Sequence, residues 1–157
     1  MNRIRIGQIG ICHEHAAAKM TALRGLPEVF EVVGVVDDRA TTAARFAGEN
    51  REPYAGLTWM TEAQLLDTRG LRAVVVETPN ADLVPTAMRC AERGLHMHMD
   101  KPGGEDLESF QRLLDVCRQS ELTIQLGTCF AATRPSNSAF GLSVKAGWAT
   151  SFRFKRA

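Results

Sequence analysis

Apolar and polar positions along this chain change period in a regular way. Residues 3–9 read as a buried strand, residues 10–12 as a turn, and residues 13–25 as a helix whose apolar positions Ala16, Met20 and Leu23 form an i, i+4, i+7 stripe. Gly25 and Pro27 stop that helix, and residues 31–36 make a second apolar strand closed by Asp37. Asp38 is placed to cap a helix over residues 39–48, with Ala43, Phe46 and Ala47 facing inward. A short third strand over 57–60 leads into Thr61-Glu62-Ala63-Gln64, the spacing of a capping box, and a short helix burying Leu65 and Leu66. Residues 72–77 carry an unbroken apolar run from Ala73 through Val76, as in a strand buried on both faces.

The second half keeps the rhythm. Residues 81–93 place Val84, Ala87, Met88 and Ala91 on one helix side, and the helix stops at Gly94. Residues 95–99 form a fifth strand that Asp100-Lys101-Pro102-Gly103-Gly104 breaks off. Glu105 and Asp106 favour the start of a helix with the stripe Leu107, Phe110, Leu114 and Cys117, and residues 122–126 alternate as a half-exposed sixth strand. Six strands alternating with five helices predict an α/β fold, a Rossmann-type doubly wound parallel sheet in the order 3-2-1-4-5-6. Ligands of such a sheet bind beyond the carboxyl ends of the strands, at the switch point between strands 1 and 4.

Composition narrows the setting. With 157 residues, 45% hydrophobic, the chain suits one ordinary domain core, and a net charge of +1 gives no basic surface for nucleic acid. Cys12, Cys90, Cys117 and Cys129 show no C-x-x-C spacing, and Cys90 and Cys117 fall on apolar helix stripes, so they read as buried thiols rather than disulfides. The N-terminus lacks a signal-peptide core, and no apolar run approaches the roughly 18 residues of a membrane span. The expectation is a cytoplasmic protein with no membrane partner.

The chemistry concentrates at the turns. The first strand-turn-helix unit points helix N–H groups at the turn after Gly10, where an anion can settle, and Asp37 closes the second strand where an adenosine ribose presents its hydroxyls. Against G-x-G-x-x-G the chain offers Gly10, then Cys12, then His15; a Cβ at Cys12 pushes a phosphate outward, and Glu14 competes with its charge. Arg39 can receive a 2'-phosphate, although Asp37 at the strand end favours NAD over NADP. His96, His98 and Asp100 share one face of strand 5, and His13 and His15 lie together, but no cysteine joins either set at ligand spacing and no metal is expected.

Gly7-Gln8-Ile9-Gly10-Ile11-Cys12-His13-Glu14-His15, Glu77-Thr78-Pro79-Asn80, Gly94-Leu95-His96 and Asp100-Lys101-Pro102, in this order and spacing, resemble the N-terminal half of the glucose-fructose oxidoreductase, inositol dehydrogenase and rhizopine-catabolism family, written Gfo/Idh/MocA. The resemblance implies an NAD-binding domain, with NADP possible, that supports hydride transfer between a nicotinamide and a sugar, polyol or related hydroxy compound. It implies that Gly10, Ile11, Cys12, His13, Asp37 and Arg39 line the adenosine and pyrophosphate, that Thr78, Pro79 and Asn80 flank the cofactor, and that Asp100, Lys101 and Pro102 lie beside the nicotinamide. Lys101 is the implied catalytic residue, because a desolvated lysine can take and return a hydroxyl proton.

The same resemblance divides the chain into a dinucleotide-binding domain over residues 1–130 and, over 131–157, a linker, one helix and the first strand of a second α+β domain. Leu83 stands where members commonly carry histidine, and residues 127–135 keep only a blurred form of the family's Arg- and Pro-containing link. Family members are about twice as long, so this length alone is expected to turn over substrate feebly. Two other readings stay open: a stand-alone NAD(H)-binding or sensing module without catalysis, and a non-binding truncated scaffold. Residues 151–156, alternating with Phe152 and Phe154 on one face, are expected to pair with a second copy as a homo-oligomer.

Overall fold

The computed structural model describes residues 3–12, 15–37 and 52–127. Within them six strands form one parallel sheet: β1 (Ile4–Ile9), β2 (Phe30–Val36), β3 (Trp59–Met60), β4 (Ala73–Val76), β5 (His96–Met99) and β6 (Ile124–Leu126). Their spatial order is β3-β2-β1-β4-β5-β6, the doubly wound order expected from the alternation of periods. The described helices are α1 (Ala16–Arg24), α2 (Glu62–Leu66), α3 (Asn80–Glu92) and α4 (Leu107–Gln119). The helix expected over 39–48 and every expectation for 128–157, the paired strand at 151–156 included, fall outside the described residues.

Alternation along the central strands sends side chains to two separate layers. Val74 and Val76 of β4 join Ile9, Leu65, Val84, Ala87, Met97 and Leu113 in the core under α2, α3 and α4. Ala73 and Val75 of the same strand face the other way and meet Ile6, Leu23, Leu26 and Phe30 beneath α1. All four β4 residues are buried, the pattern of a strand covered by helices on both faces. The expected α1 stripe of Ala16, Met20 and Leu23 is buried as a set.

Local signals set the helix ends. Thr61 Oγ1 accepts from Gln64 N at 3.2 Å while Thr61 N donates to Gln64 Oε1 at 2.8 Å, a reciprocal capping box that starts α2. Asp106 accepts from the backbone N–H groups of Ser109 at 2.8 Å and Glu108 at 3.3 Å and so caps α4. That cap corrects the expected α4 stripe. With Asp106 at the cap, Leu107 is the first helical residue and is 81% exposed, whereas Leu113 and Cys117 carry the inward face with Phe110 and Val116 partly buried beside them.

Candidate functional site

The sheet register lines up the carboxyl ends of its strands. Ile9 pairs with Val36 on one side and Val76 on the other, Val76 pairs with Met99, and Met99 pairs with Leu126. The next residue on each strand therefore stands in one row across the edge: Asp37, Gly10, Glu77, Asp100 and Gly127. Backbone hydrogen bonds extend the ladder into that row. Gly10 N donates to Val36 O at 2.9 Å, Glu77 N to Ile9 O at 2.8 Å, Asp100 N to Val76 O at 3.2 Å, and Gly127 N to Met99 O at 2.8 Å.

Gly10 is the closest approach in the row. Its φ is +94°, and a Cβ built there would lie 2.5 Å from the backbone carbon and oxygen of Glu77. No L side chain fits that conformation and that gap, so the turn after β1 requires glycine. The turn then leads to His15 and α1, whose first turn, Ala16, Ala17 and Ala18, carries no acidic side chain. His15, the N-cap of α1, makes no side-chain capping hydrogen bond there.

The residues singled out from the sequence distribute around this row. Ile11 is half-buried and Cys12 exposed, on the turn after Gly10; His13 and Arg39 lie outside the described residues. Asp37 is buried at the end of β2. Thr78 is buried with its Oγ1 accepting and donating no hydrogen bond among the described residues, and Pro79 and Asn80 are exposed at the start of α3. Asp100 is buried at the end of β5, while Lys101 and Pro102, joined by a cis peptide bond, are exposed on the following turn. Gly10, Asp37, Thr78 and Asp100 are thus brought to one edge, and Lys101 stands on the loop that leaves it. His96, in contrast, is occupied by structure, its Nδ1 accepting from Thr123 N at 3.0 Å.

Beneath the row lies a charged cluster that the sequence reading did not find. Lys19 of α1 is ion-paired with Glu77, and its Nζ also donates to Asp100 Oδ1 at 3.1 Å. His15 brings its Nδ1 to 3.3 Å from Asp100 Oδ2. A Cβ at Gly127 would meet Lys19 Nζ at 2.9 Å, His98 Nε2 at 3.1 Å and Asp100 Oδ1 at 3.3 Å, so these groups converge on the end of β6 as well. Glu77 is wholly buried, and its Oε2 has no hydrogen bond among the described residues. Burial pushes its carboxyl up to about 7 against the pull of Lys19. Burial and the charge of Lys19 push the His98 imidazole down to about 3, which keeps it neutral at physiological pH.

A signal for this cluster was present in the chain. Lys19 lies three residues after Ala16 and four before Leu23, on the flank of the buried α1 stripe, where a cation must find acids. Glu77 follows four consecutive buried apolar residues directly, which marks it as buried too. Gln8, by contrast, gave no such signal in the sequence. Its buried Nε2 donates to Gly10 O at 3.0 Å, Ala16 O at 3.3 Å and Tyr54 Oη at 3.1 Å, tying the turn after β1 to α1 and to the loop before β3.

Comparison with known proteins gives a consistent picture. The signature of the oxidoreductase family with an NAD-binding Rossmann fold, Gfo/Idh/MocA, matches residues 4–128. The rhizopine catabolism protein MocA of Rhizobium meliloti is 28% identical over 132 residues, which cover 81% of this chain and 38% of that protein. An oxidoreductase of Rhizobium meliloti is 33% identical over 121 residues, 75% of this chain and 34% of that protein. The chain therefore spans a little over a third of the length of these relatives. Among solved structures, a 3-ketoreductase from Actinomadura kijaniata in complex with TDP-benzene and NADP superposes with a TM-score of 0.65 at 28% identity, over 80% of this chain and 38% of that one. A dehydrogenase from Chromobacterium violaceum in complex with NADH and UDP-GlcNAcA shares the fold, with a TM-score of 0.69 at 20% identity over 81% of this chain and 35% of that one. The parallel sheet in the order 3-2-1-4-5-6, the glycine-only turn at the switch point and the family signature over residues 4–128 together establish that the chain belongs to the Gfo/Idh/MocA oxidoreductase family, with its NAD-binding Rossmann fold.

Proposed function

We propose that the chain binds NAD(H) along the carboxyl edge of the sheet and serves hydride transfer between the nicotinamide and a carbinol carbon of a sugar, polyol or related compound. The observation that carries this reading is the row formed by Asp37, Gly10, Glu77 and Asp100, with Thr78 directly after it, around a turn that has no room for a Cβ. The residues fit the dinucleotide. Gly10 with Ile11, Cys12 and the first turn of α1 would receive the pyrophosphate, to which His13 would add, and Asp37 would accept the ribose hydroxyls, with Arg39 available to a 2'-phosphate. Thr78, Pro79 and Asn80 would flank the cofactor.

The nicotinamide supplies the hydride chemistry when bound. The protein's part is to position the substrate carbon and to manage one proton, which is the role proposed for the exposed Lys101 Nζ, with Asp100 and Pro102 fixing its loop. Substrates of the sugar or sugar-nucleotide class agree with the ligands of the structural relatives. Cys90 and Cys117, buried and unbridged, suit a reducing cytoplasmic setting. No helix among the described residues is long and apolar enough to cross a membrane. The alternating stretch at 151–156 is proposed to join a second copy edge to edge.

Asp37→Ala tests the ribose assignment. Affinity for NADH is expected to fall by about 1–3 kcal/mol, the cost of hydrogen bonds to a charged acceptor. An unchanged affinity in a folded variant places the ribose elsewhere.

A further inference from the structure

The loops that carry the proposed cofactor contacts and the proposed catalytic lysine leave adjacent strands, joined at that edge by Asp100 N donating to Val76 O at 3.2 Å. One side chain from a third element adds a charged link between them. Lys19 Nζ stands between the carboxylate of Glu77, which immediately precedes Thr78-Pro79-Asn80, and that of Asp100, which immediately precedes Lys101. Lys19 is 17% exposed, Glu77 is fully buried and Asp100 is 2% exposed, so solvent does little to loosen the bridge.

We propose that Lys19 is a positioning residue: by bridging Glu77 and Asp100 it holds the loop carrying Thr78, Pro79 and Asn80 and the loop carrying Lys101 in one mutual register. The assignment of roles to those loops rests on the dinucleotide reading above; the mechanical coupling does not. Removing Lys19 leaves two carboxylates about one buried cation short, and each then repels the other or takes a proton. Either response moves both loops, because each carboxylate belongs to the first residue after its strand. His15 brings its Nδ1 to 3.3 Å from Asp100 Oδ2, on the Asp100 side of the bridge. His98, converging on the same point, is neutral and brings no charge.

The coupling depends on a proton. The groups facing Glu77 are Lys19 and His15 from α1 and Asp100 from β5, and its carboxyl titrates near 7. Ionised Glu77 gives Lys19 two anionic partners, and protonated Glu77 leaves it one. The bridge therefore tightens as pH rises through neutrality.

The test is amide hydrogen exchange on the full 157-residue chain, after correction for intrinsic rates, in the parent, Lys19→Met, Glu77→Gln and the double variant, with NADH titrated in parallel. The double variant removes the cation together with one buried carboxylate and so keeps the fold intact where Lys19→Met does not. The expected result is that the amides of Asp82, bonded to Pro79 O in the loop after β4, and of Asp100, bonded to Val76 O at the loop after β5, lose protection together by tenfold or more in the double variant while β1 and β4 keep theirs. Parental protection in these loops is expected to rise between pH 6 and pH 8, and Glu77→Gln to abolish that rise. Parental protection of both loops in the double variant, or loss confined to the loop after β5, overturns the proposal. NADH binding by the parent but equally by the double variant also overturns it while the dinucleotide reading stands. A parent that ignores NADH but shows the joint loss of protection removes the dinucleotide reading and leaves the bridge.

Discussion

Glu77 holds a proton more tightly in the folded chain than in the unfolded one, because burial lifts its carboxyl from 4.5 to about 7 even with Lys19 beside it. Its contribution to stability is therefore fully present below about pH 4.5 and is lost as the pH rises to about 7, a change on the order of 3 kcal/mol. His98 works in the opposite sense. Its folded form sheds a proton, so its contribution is present above pH 6.5 and is lost as the pH falls toward 3. The two slopes oppose one another between about pH 4.5 and 6.5, and Glu77 acts alone just above. We expect Glu77→Gln to gain stability relative to the parent as pH rises from 5 to 8, read from urea midpoints at each pH; a difference that stays constant would mean the carboxylate is ionised throughout. Cys12 is the other residue with a definite consequence. It is exposed on the turn after Gly10, at the second glycine position of the fingerprint, where a Cβ holds a phosphate away. Cys12→Gly is expected to tighten NADH binding several-fold, and weaker binding would show that the cysteine itself contacts the ligand.

At the scale of elements, helix α4 separates two readings of its own sequence. Leu113→Ala is expected to cost about 2–5 kcal/mol, because Leu113 is fully buried, and Leu107→Ala less than about 0.5 kcal/mol on an 81% exposed site. Comparable losses in thermal or urea unfolding would restore the stripe through Leu107. Loss of the α4 cap in Asp106→Ala is expected to cost about 1 kcal/mol by the same measurement. These cases show what the sequence made legible. The sheet order and the α1 stripe could be read because apolar periodicity and glycine or proline stops are local signals. The α4 stripe was legible at Phe110 and Cys117, but Leu107, directly after the Asp106 cap, sits at the exposed helix end, and Leu113 rather than Leu114 is fully buried. The edge that gathers Gly10, Asp37, Thr78 and Asp100 could be read from strand ends, whereas the Lys19 bridge could not, since its partners lie 58 and 81 residues away along the chain. A buried ion pair leaves no periodic trace; only a lysine on the margin of an apolar stripe points to it.

For the whole molecule, the family signature with its NAD-binding Rossmann fold covers residues 4–128, and the chain spans 38% and 34% of the two Rhizobium meliloti relatives. Positioning of the reacting carbon accounts for several kcal/mol of an enzyme's barrier. These 157 residues by themselves are accordingly expected to bind NADH while oxidising polyols slowly, and a robust rate abolished by Lys101→Ala would show that the substrate site is already complete. The central claim, that the carboxyl edge around Gly10 is a dinucleotide site, is tested most directly by calorimetric titration of the folded chain with NADH beside Asp37→Ala. The account predicts saturable binding of one NADH per chain that weakens by about 1–3 kcal/mol in the variant. No heat and no change in nicotinamide fluorescence at saturating NADH, from a chain that still unfolds cooperatively, would contradict it.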